Sequence, residues 1–237
     1  MLRRAGIVVL VFLAFEGLAT ATTIVIMRTT TGFVIGADSL ARVEEINGTR
    51  RAGHICKVGS LGPNQYVAVA GILEFLPSGL DTWRIIERIA ATDGLLAAKG
   101  AQIESELRGL LDATAPWSAD PVKVQVALFG FEAGRPVGLL STYESRVDGA
   151  GKIVSSTSTQ LLSDEVLLLG EVAAAADFAR SHGRINREDP VAGVRELIEA
   201  QIQATPDRVG PPINILRIDA AGYKWAEEGH VCATRLP

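Results

Sequence analysis

The sequence has few of the side chains that build metal sites and stacking surfaces. Its 237 residues include three His and two Cys, and His54, His182 and His230 are too dispersed to supply the closely spaced ligands of a zinc site. Aromatic residues make up only 5% of the chain, and its three tryptophans are too scattered to form a platform for nucleic-acid bases. We therefore predict a protein without a bound metal.

A strong charge of one sign is also missing. The 23 basic and 27 acidic residues give a formal charge of −4, and neither sign is gathered into the long blocks that bind a phosphate backbone. Nucleic acid is therefore not an expected partner. Hydrophobic residues reach 48%, which is enough for the core of one fairly large domain.

The apolar run near the N-terminus is too short to span a bilayer comfortably. It covers positions 5–15, whereas a spanning helix needs roughly 20 apolar residues. Two arginines precede it and Ala19-Thr20-Ala21 follows it, which is the arrangement of a secretory signal peptide. We predict cleavage after Ala21, a periplasmic or secreted mature protein, and no stable membrane insertion after cleavage. The alternatives are an uncleaved anchor and a buried first strand.

Cys56 and Cys232 are the two cysteines. In an oxidising compartment they can close one disulfide. Two buried thiols fit the sequence equally well, so the sequence alone does not decide between a disulfide and free thiols.

Strand and helix patterns alternate along the chain. Alternating or β-branched runs predict strands, at Thr23–Arg28, Phe33–Ala37, His54–Val58, Tyr66–Ala70, Val122–Phe131, Val137–Tyr143, Ile153–Thr159, Glu165–Leu169, Ile213–Ile218 and Tyr223–Glu227. Helical periodicity predicts two helices on either side of Asp93-Gly94, then one over Glu171–Ser181 and one opened by Asp189-Pro190. No linker rich in Pro, Gly or Ser divides the chain, so we expect one domain over residues 22–237. Two sheets, each covered by a helix pair, predict an α+β fold arranged as a four-layer αββα sandwich.

Four short segments carry the strongest functional signal. They are Thr22-Thr23-Ile24-Val25, Gly32-Phe33-Val34-Ile35-Gly36-Ala37-Asp38-Ser39, Cys56-Lys57-Val58 and Ala68-Val69-Ala70-Gly71. In residue type and spacing they resemble the proteasome β family of N-terminal-nucleophile (Ntn) hydrolases, threonine peptidases that include the bacterial ring-protease subunits. The resemblance implies the αββα fold of that family and Thr22 as the first residue of the mature chain.

The chemistry that the resemblance implies needs these residue types. A threonine hydroxyl is a poor nucleophile, and an N-terminal threonine carries a base as its own α-amine. Lys57 would lower the pKa of that amine by its charge, and Asp38 would hold the lysine in place. The N–H of Gly71 would stabilise the oxyanion, and Asp207 matches a further acidic position of the family. No cofactor is needed.

Two independent arguments select the bond between Ala21 and Thr22. The signal-peptide pattern predicts a cut there, and the family resemblance requires Thr22 to come first. Each residue also has an ordinary structural explanation: Thr22 as a strand residue, Asp38 as a turn former, Lys57 as an exposed charge and Gly71 as a turn glycine. Their joint spacing behind a cleavage site favours catalysis.

The C-terminal half departs from the family pattern. Serines that the family places near the nucleophile are missing, because Gly210 stands at one position and the segment around Glu171 at the other. The departure predicts an altered hydroxyl network around Thr22, with Glu171 either substituting in part or serving as a first-turn acid of a helix.

The resemblance also predicts a substrate-binding set. Ala41, Ile55 and Val69 would line a pocket for a medium-sized apolar side chain, and the backbone of Arg42 would pair with an extended substrate. The sequence thus predicts an exported threonine-dependent amidohydrolase that acts on a peptide or amide. The alternatives are an amidase or acylase for small molecules and a catalytically silent protein used for binding or assembly. A homo-oligomer is compatible with the sequence, and its subunit number is left open.

Overall fold

The computed structural model describes residues 22–44, 50–162, 166–181, 185–228 and 232. The predicted signal peptide at 1–21 lies outside these ranges, as does Glu165, the first residue of one predicted strand. Within them, no helix has the length and apolar character required to cross a membrane.

Fourteen strands are present in the described ranges. In chain order they are β1 (Thr23–Arg28), β2 (Gly32–Asp38), β3 (Leu40–Glu44), β4 (Arg50–His54), β5 (Val58–Gly62), β6 (Gln65–Gly71), β7 (Glu74–Phe75), β8 (Leu80–Asp81), β9 (Val122–Glu132), β10 (Arg135–Val147), β11 (Ile153–Leu161), β12 (Val166–Gly170), β13 (Ile213–Asp219) and β14 (Gly222–Glu227). The α-helices are α1 (Thr82–Ala90), α2 (Leu96–Thr114), α3 (Ala173–Ser181) and α4 (Pro190–Ala204).

Two five-stranded sheets organise the molecule. The first has the order β12-β1-β2-β13-β14 and the second the order β11-β10-β9-β6-β5, while β3-β4 and β7-β8 form separate two-stranded pairs. Neighbouring strands are antiparallel in both large sheets. Strand β1, which follows Thr22 directly, lies inside the first sheet between the edge strand β12 and the central strand β2.

Three apolar clusters hold these elements together. One contains side chains of both large sheets, including Phe33 and Phe129, whose ring centroids lie 5.8 Å apart. Another joins the second sheet to α1 and α2 through residues such as Leu107. The third joins the first sheet to α4 through residues such as Ile198. Burial of this apolar surface is the main stabilising contribution to the fold.

The predicted four-layer αββα sandwich is wrong. The chain is mostly antiparallel sheet, with 44% strand against 30% helix in four helices of the described part. The helices also differ greatly in what they cover: α2 buries six residues, whereas α3 buries Ala175 alone. Periodicity in a sequence gives the place of a helix, but the share of the core that it covers depends on tertiary packing.

One predicted strand is also corrected, in the region of Lys57. The sequence predicts a strand at His54–Val58, but His54 ends β4, residues 55–57 are in no strand, and Val58 begins β5. The hairpin of β3 and β4 was not predicted, since its charged residues break the alternation of a half-buried strand. Lys57 therefore lies in the short connection between this hairpin and the second sheet.

Candidate active site

The residue that follows β12 binds the backbone at the start of β1. Thr22 is 2% exposed, and its carbonyl accepts a hydrogen bond of 2.6 Å from the N–H of Glu171. The hydroxyl of Thr23 donates to the carbonyl of Glu171 at 2.5 Å. Gly170 allows this approach, because a Cβ at that position would lie 1.9 Å from the Thr22 carbonyl oxygen. The start of β1 is thus fixed at a position that depends on glycine.

A buried ion pair lies directly beside this backbone. Lys57 Nζ donates to Asp38 Oδ1 at 2.7 Å and to the carbonyl of Leu40 at 2.8 Å. The backbone N–H of Thr23 donates to the same Oδ1, also at 2.7 Å. Asp38 ends β2, the neighbour of β1, so sheet pairing delivers the carboxylate to this place. The structure therefore brings Asp38 and Lys57 together beside the backbone of Thr23, the residue that follows Thr22.

The turn after α4 completes the surroundings of the carboxylate. The N–H of Gly210 donates to Asp38 Oδ2 at 3.3 Å. The carbonyl of Gly210 accepts from the N–H groups of Ser39 and Leu40, both at 3.3 Å. The position at which the sequence lacks a serine is therefore occupied by a backbone donor that contacts Asp38 directly.

Burial and charge act in opposite directions on the pair. Burial raises the pKa of Asp38 above its usual value, and the Lys57 charge and hydrogen bonds from Lys57, Thr23 and Gly210 offset this shift in part. Burial lowers the pKa of Lys57, and the charge and hydrogen bond of Asp38 raise it. Both carboxylate oxygens accept hydrogen bonds, so the arrangement suits the ionised form of Asp38. It holds the Lys57 ammonium group near the backbone of Thr23, and a positive charge there would lower the pKa of a neighbouring amine.

A disulfide anchors the segment that carries Lys57. Cys56 is bonded to Cys232, 176 residues later in the chain, and both are 1% exposed. Of the two alternatives that the sequence left open, the disulfide is the one found. The same segment is held by hydrogen bonds of 2.9 Å, from Ile55 N–H to the Ser39 carbonyl and from Val69 N–H to the Lys57 carbonyl.

The two other predicted catalytic residues lie on separate elements. Gly71 ends β6 with φ of +102°, and a Cβ there would lie 2.1 Å from the carbonyl oxygen of Lys123 in the adjacent strand. This close approach alone requires glycine, whatever its N–H does. Asp207 lies exposed in the turn between α4 and Gly210.

The predicted substrate-binding residues have different environments. Ala41 and Ile55 are half-buried, and Arg42 lies in β3 opposite Ala52. Val69 is fully buried in the apolar cluster that contains α1 and α2. The structure therefore brings Ala41 and Ile55 to the partly accessible hairpin region, while the side chain of Val69 packs in the core.

Two polar contacts near the site were not anticipated from the sequence. Asn214 Nδ2 donates to Ser39 Oγ at 2.5 Å, and both residues are buried. Arg208 forms an ion pair with Glu171 at 3.2 Å. An asparagine within the apolar run that begins strand β13 is a sequence signal that could have revealed the first contact, because buried polar groups require partners. The second joins two distant segments and has no local signal.

Comparison with known proteins gives a likeness of fold. No protein-family model matches the chain, and no curated protein matches it. Several solved structures do match the chain. The helical assembly of the Anbu complex from Pseudomonas aeruginosa has 15% identity and a TM-score of 0.55, with 90% of each chain covered. Anbu (ancestral beta-subunit) from Yersinia bercovieri has 13% identity and a TM-score of 0.54, covering 88% of each chain. An Anbu (Gly-1) mutant from Hyphomicrobium sp. strain MC1 has 13% identity and a TM-score of 0.52, covering 89% of this chain and 90% of the other.

These findings correct the family assignment made from the sequence. Placing the chain in the proteasome β family of Ntn hydrolases is wrong, since no family model matches and the similar structures are Anbu proteins. What is shown is a proteasome-like fold shared with these ancestral β-subunits. Identities of 13–15% carry no residue roles from those proteins to this chain.

Proposed function

We propose that this chain is an exported threonine-dependent amidohydrolase that cleaves peptides, with Thr22 as its nucleophile once residues 1–21 are removed. The observation that supports the proposal most strongly is the buried Asp38–Lys57 pair, whose shared oxygen also binds the N–H of Thr23. Burying two charges is costly unless they are paired. A buried ion pair so close to the start of the mature chain is suited to shifting the pKa of the Thr22 α-amine.

The proposed reaction uses the α-amine of Thr22 as the base. The amine takes the hydroxyl proton while Oγ1 attacks the substrate carbonyl, and the tetrahedral intermediate forms with its oxyanion near the N–H of Gly71. The C–N bond then breaks, the leaving amine receives the proton, and an ester to Thr22 remains. Water hydrolyses this ester to a carboxylic acid and restores the hydroxyl. Lys57 stays protonated throughout and acts through its charge.

Export is part of the proposal. The pattern of residues 1–21 is that of a signal peptide, and a periplasmic or secreted location suits the Cys56–Cys232 disulfide, because such bonds persist in oxidising compartments. Cleavage after Ala21 would activate the enzyme in the compartment where its disulfide forms.

A catalytically silent protein is the second candidate, and the position of Glu171 favours it. Glu171 forms an ion pair with Arg208, so its carboxylate is engaged away from the backbone contacts with Thr22. Against this candidate, the Gly210 N–H donates to Asp38 and keeps the ion pair supported without a serine. An amidase or acylase for small molecules would use the same machinery, and panels of peptides and small amides would separate it from a peptidase.

We extend the proposal to self-association. The Pseudomonas aeruginosa Anbu complex is described as a helical assembly, and a homo-oligomer is the corresponding proposal for this chain.

Covalent labelling of the purified, processed protein tests the proposed function. A β-lactone probe should add its whole mass to Thr22, because the hydroxyl opens the lactone ring without losing an atom. The same substitution at adjacent positions provides the control: Thr22→Val should abolish labelling, and Thr23→Val should retain it. N-terminal sequencing of each variant must show a chain that begins at residue 22. An unlabelled protein with that N-terminus would support the silent candidate, and a mature chain beginning elsewhere would contradict the mechanism.

A further inference from the structure

The edge strand of the second sheet is unusually open. Strand β11, with the sequence IVSSTSTQL, pairs with β10 over all nine residues and ends that sheet. Eight of its nine residues are exposed. Leu161 is 75% exposed, Val154 40% and Ile153 39%. A row of backbone N–H and C=O groups therefore faces outward beside apolar side chains at both ends of the strand.

The strand is held in place despite this exposure. Asp112 of α2 accepts hydrogen bonds from Ser155 Oγ and, at 2.6 Å, from Ser145 Oγ of β10. Arg108 of α2 donates to Thr157 Oγ1 at 3.2 Å. Because the helix and β10 fix its conformation, β11 can accept another strand without first becoming ordered.

The edges of the first sheet differ from β11 in the ways that normally prevent strand addition. Natural edge strands are short, charged or irregular. At one edge, β14 carries Lys224 and Glu227, and its pairing with β13 has a register shift at Ile215/Leu216. At the other, β12 has five residues. The far edge of the second sheet, β5, also has five residues and is largely buried. Strand β11 is longer than each of these, has no charged residue and pairs without a register shift.

We infer that β11 is an interface for a second copy of this chain, in which two β11 strands pair antiparallel about a two-fold axis at Thr157. Full overlap of the two strands fixes this register. It places Ile153 of each copy opposite Leu161 of the other, on the same face as Ser155, Thr157 and Thr159. The two apolar ends of one strand are then covered by those of its partner. The second sheet of one copy and the second sheet of the other copy become one continuous sheet. The inference concerns assembly and is independent of the catalytic proposal.

The strand composition favours a second copy over an unrelated charged segment. Like charges directly opposite one another destabilise antiparallel pairs, and β11 has none to oppose its own image. A two-fold interface also requires a surface that is complementary to itself. With Thr157 at the axis, the hydroxyl-bearing residues of the two strands meet one another, Ile153 meets Leu161, and Val154 meets the uncharged Gln160.

A pair of charge variants tests both the interface and its register. In the proposed pairing, the exposed residues Ser156 and Ser158 lie opposite each other across the axis. The double variant Ser156→Lys with Ser158→Lys places lysine against lysine twice. The double variant Ser156→Lys with Ser158→Glu places lysine against glutamate twice, at the same two positions. Light scattering coupled to size exclusion should show that the particle mass falls to about half in the first variant and stays at the wild-type value in the second.

The other outcomes of this test all contradict the inference. They are a monomeric wild-type protein, equal masses in the wild type and both variants, and loss of association in both variants. Circular dichroism checks that each variant is folded.

An introduced cysteine gives a second measurement that does not depend on those variants. The described cysteines are already bonded to each other. In Thr157→Cys the two copies would meet at the axis, where opposed Cα atoms of an antiparallel pair lie about 4.5–5.5 Å apart, within disulfide range. Mild oxidation should produce a disulfide-linked dimer in this variant and none in Gln203→Cys, which places the thiol at an exposed site on α4. Equal crosslinking of the two variants would overturn the inference.

Discussion

Two lysines are buried in different regions of this protein, and their surroundings differ. Lys57 is 1% exposed and Lys99 is 3% exposed. Lys57 donates to Asp38 and to the carbonyl of Leu40, whereas Lys99 donates to the carbonyl of Leu61. Burial lowers the pKa of both side chains. The opposing effect comes from a bonded carboxylate for Lys57, and from the nearby charge of Asp93 for Lys99.

The comparison shows that burial of a lysine does not by itself indicate a functional site. Lys99 lies in α2 and bonds to β5, so it connects a helix to a strand beneath it. Lys57 belongs to a network that includes a carboxylate, two backbone N–H groups and the start of β1. The carboxylate and the position beside Thr22 are what distinguish the candidate catalytic lysine from a structural one.

The largest expected effect is on the rate of covalent labelling, when Lys57 is replaced and Lys99 is replaced as the control. Lys57→Met should lower the rate of β-lactone labelling of Thr22 by about 100-fold or more, since the charge that lowers the pKa of the Thr22 amine is lost. Lys99→Met should leave that rate unchanged, because Lys99 belongs to a different network. Single-exponential labelling kinetics followed by mass spectrometry measure both rates. Similar losses in the two variants would remove the distinction between the lysines.

Removing the carboxylate should destabilise the Lys57 region strongly. Asp38→Asn leaves a buried ammonium group without its counter-charge, and a loss of about 3–5 kcal/mol in the free energy of unfolding is expected. Asp93→Asn is the matched change near Lys99 and should have a small effect, because Asp93 is exposed. Chemical denaturation measures both. If Asp38→Asn were as stable as wild type, the ion pair would be dispensable for the fold.

Breaking the disulfide should affect the two regions unequally. Cys232→Ser removes a bond that closes a long loop, and the free energy of unfolding should fall by about 2–5 kcal/mol. Because Cys56 adjoins Lys57, amide hydrogen exchange should accelerate around residues 55–58 before it changes around Lys99. Wild-type protein under reducing conditions should behave like the variant. Uniform acceleration in both regions would show that the bond stabilises the whole fold and does not position Lys57 in particular.

The smallest expected effect is a pH dependence at Lys99. Burial lowers the pKa of Lys99 in the folded protein. At pH values between this lowered pKa and the unfolded pKa of about 10.4, the unfolded chain therefore binds more protons than the folded protein. Stability of the wild type relative to Lys99→Met should therefore rise as the pH increases through this window. Denaturation curves of both proteins at a series of alkaline pH values test this. A relative stability that falls with pH would mean that Lys99 is stabilised in its charged form.

The sequence named candidate site residues but could not give the contacts around them. Asp38 and Lys57, two of the residues named from the sequence, form an ion pair that also binds the N–H of Thr23, while the role of Thr22 stays a prediction. The contribution of Gly210 could not be read from the sequence, because every residue except proline has a backbone N–H and only the fold selects the one that reaches Asp38. Burial was equally out of reach of the sequence for Val69, which was predicted to line a pocket and is fully buried in the apolar cluster that contains α1 and α2.

The fold was predicted only in its local elements. Most strands lie where alternation predicted them, including β1 at Thr23–Arg28. The β3–β4 hairpin was missed, and the layered arrangement was wrong, because local patterns do not measure how much of the core each helix covers. The family resemblance was likewise too specific, and the structure comparisons support a proteasome-like fold only.

The sequence by itself determined the positions of the helices and of most strands, the candidate nucleophile and the absence of strong charge, because these depend on neighbouring residues and on composition. The tertiary structure decided which of two buried lysines meets a carboxylate, that Cys56 bonds to Cys232, and that Gly210 reaches Asp38. The partners in the last two contacts are 176 and 172 residues apart. Contacts over such separations depend on how the two sheets and their connections pack together, and no local pattern in the chain specifies that packing.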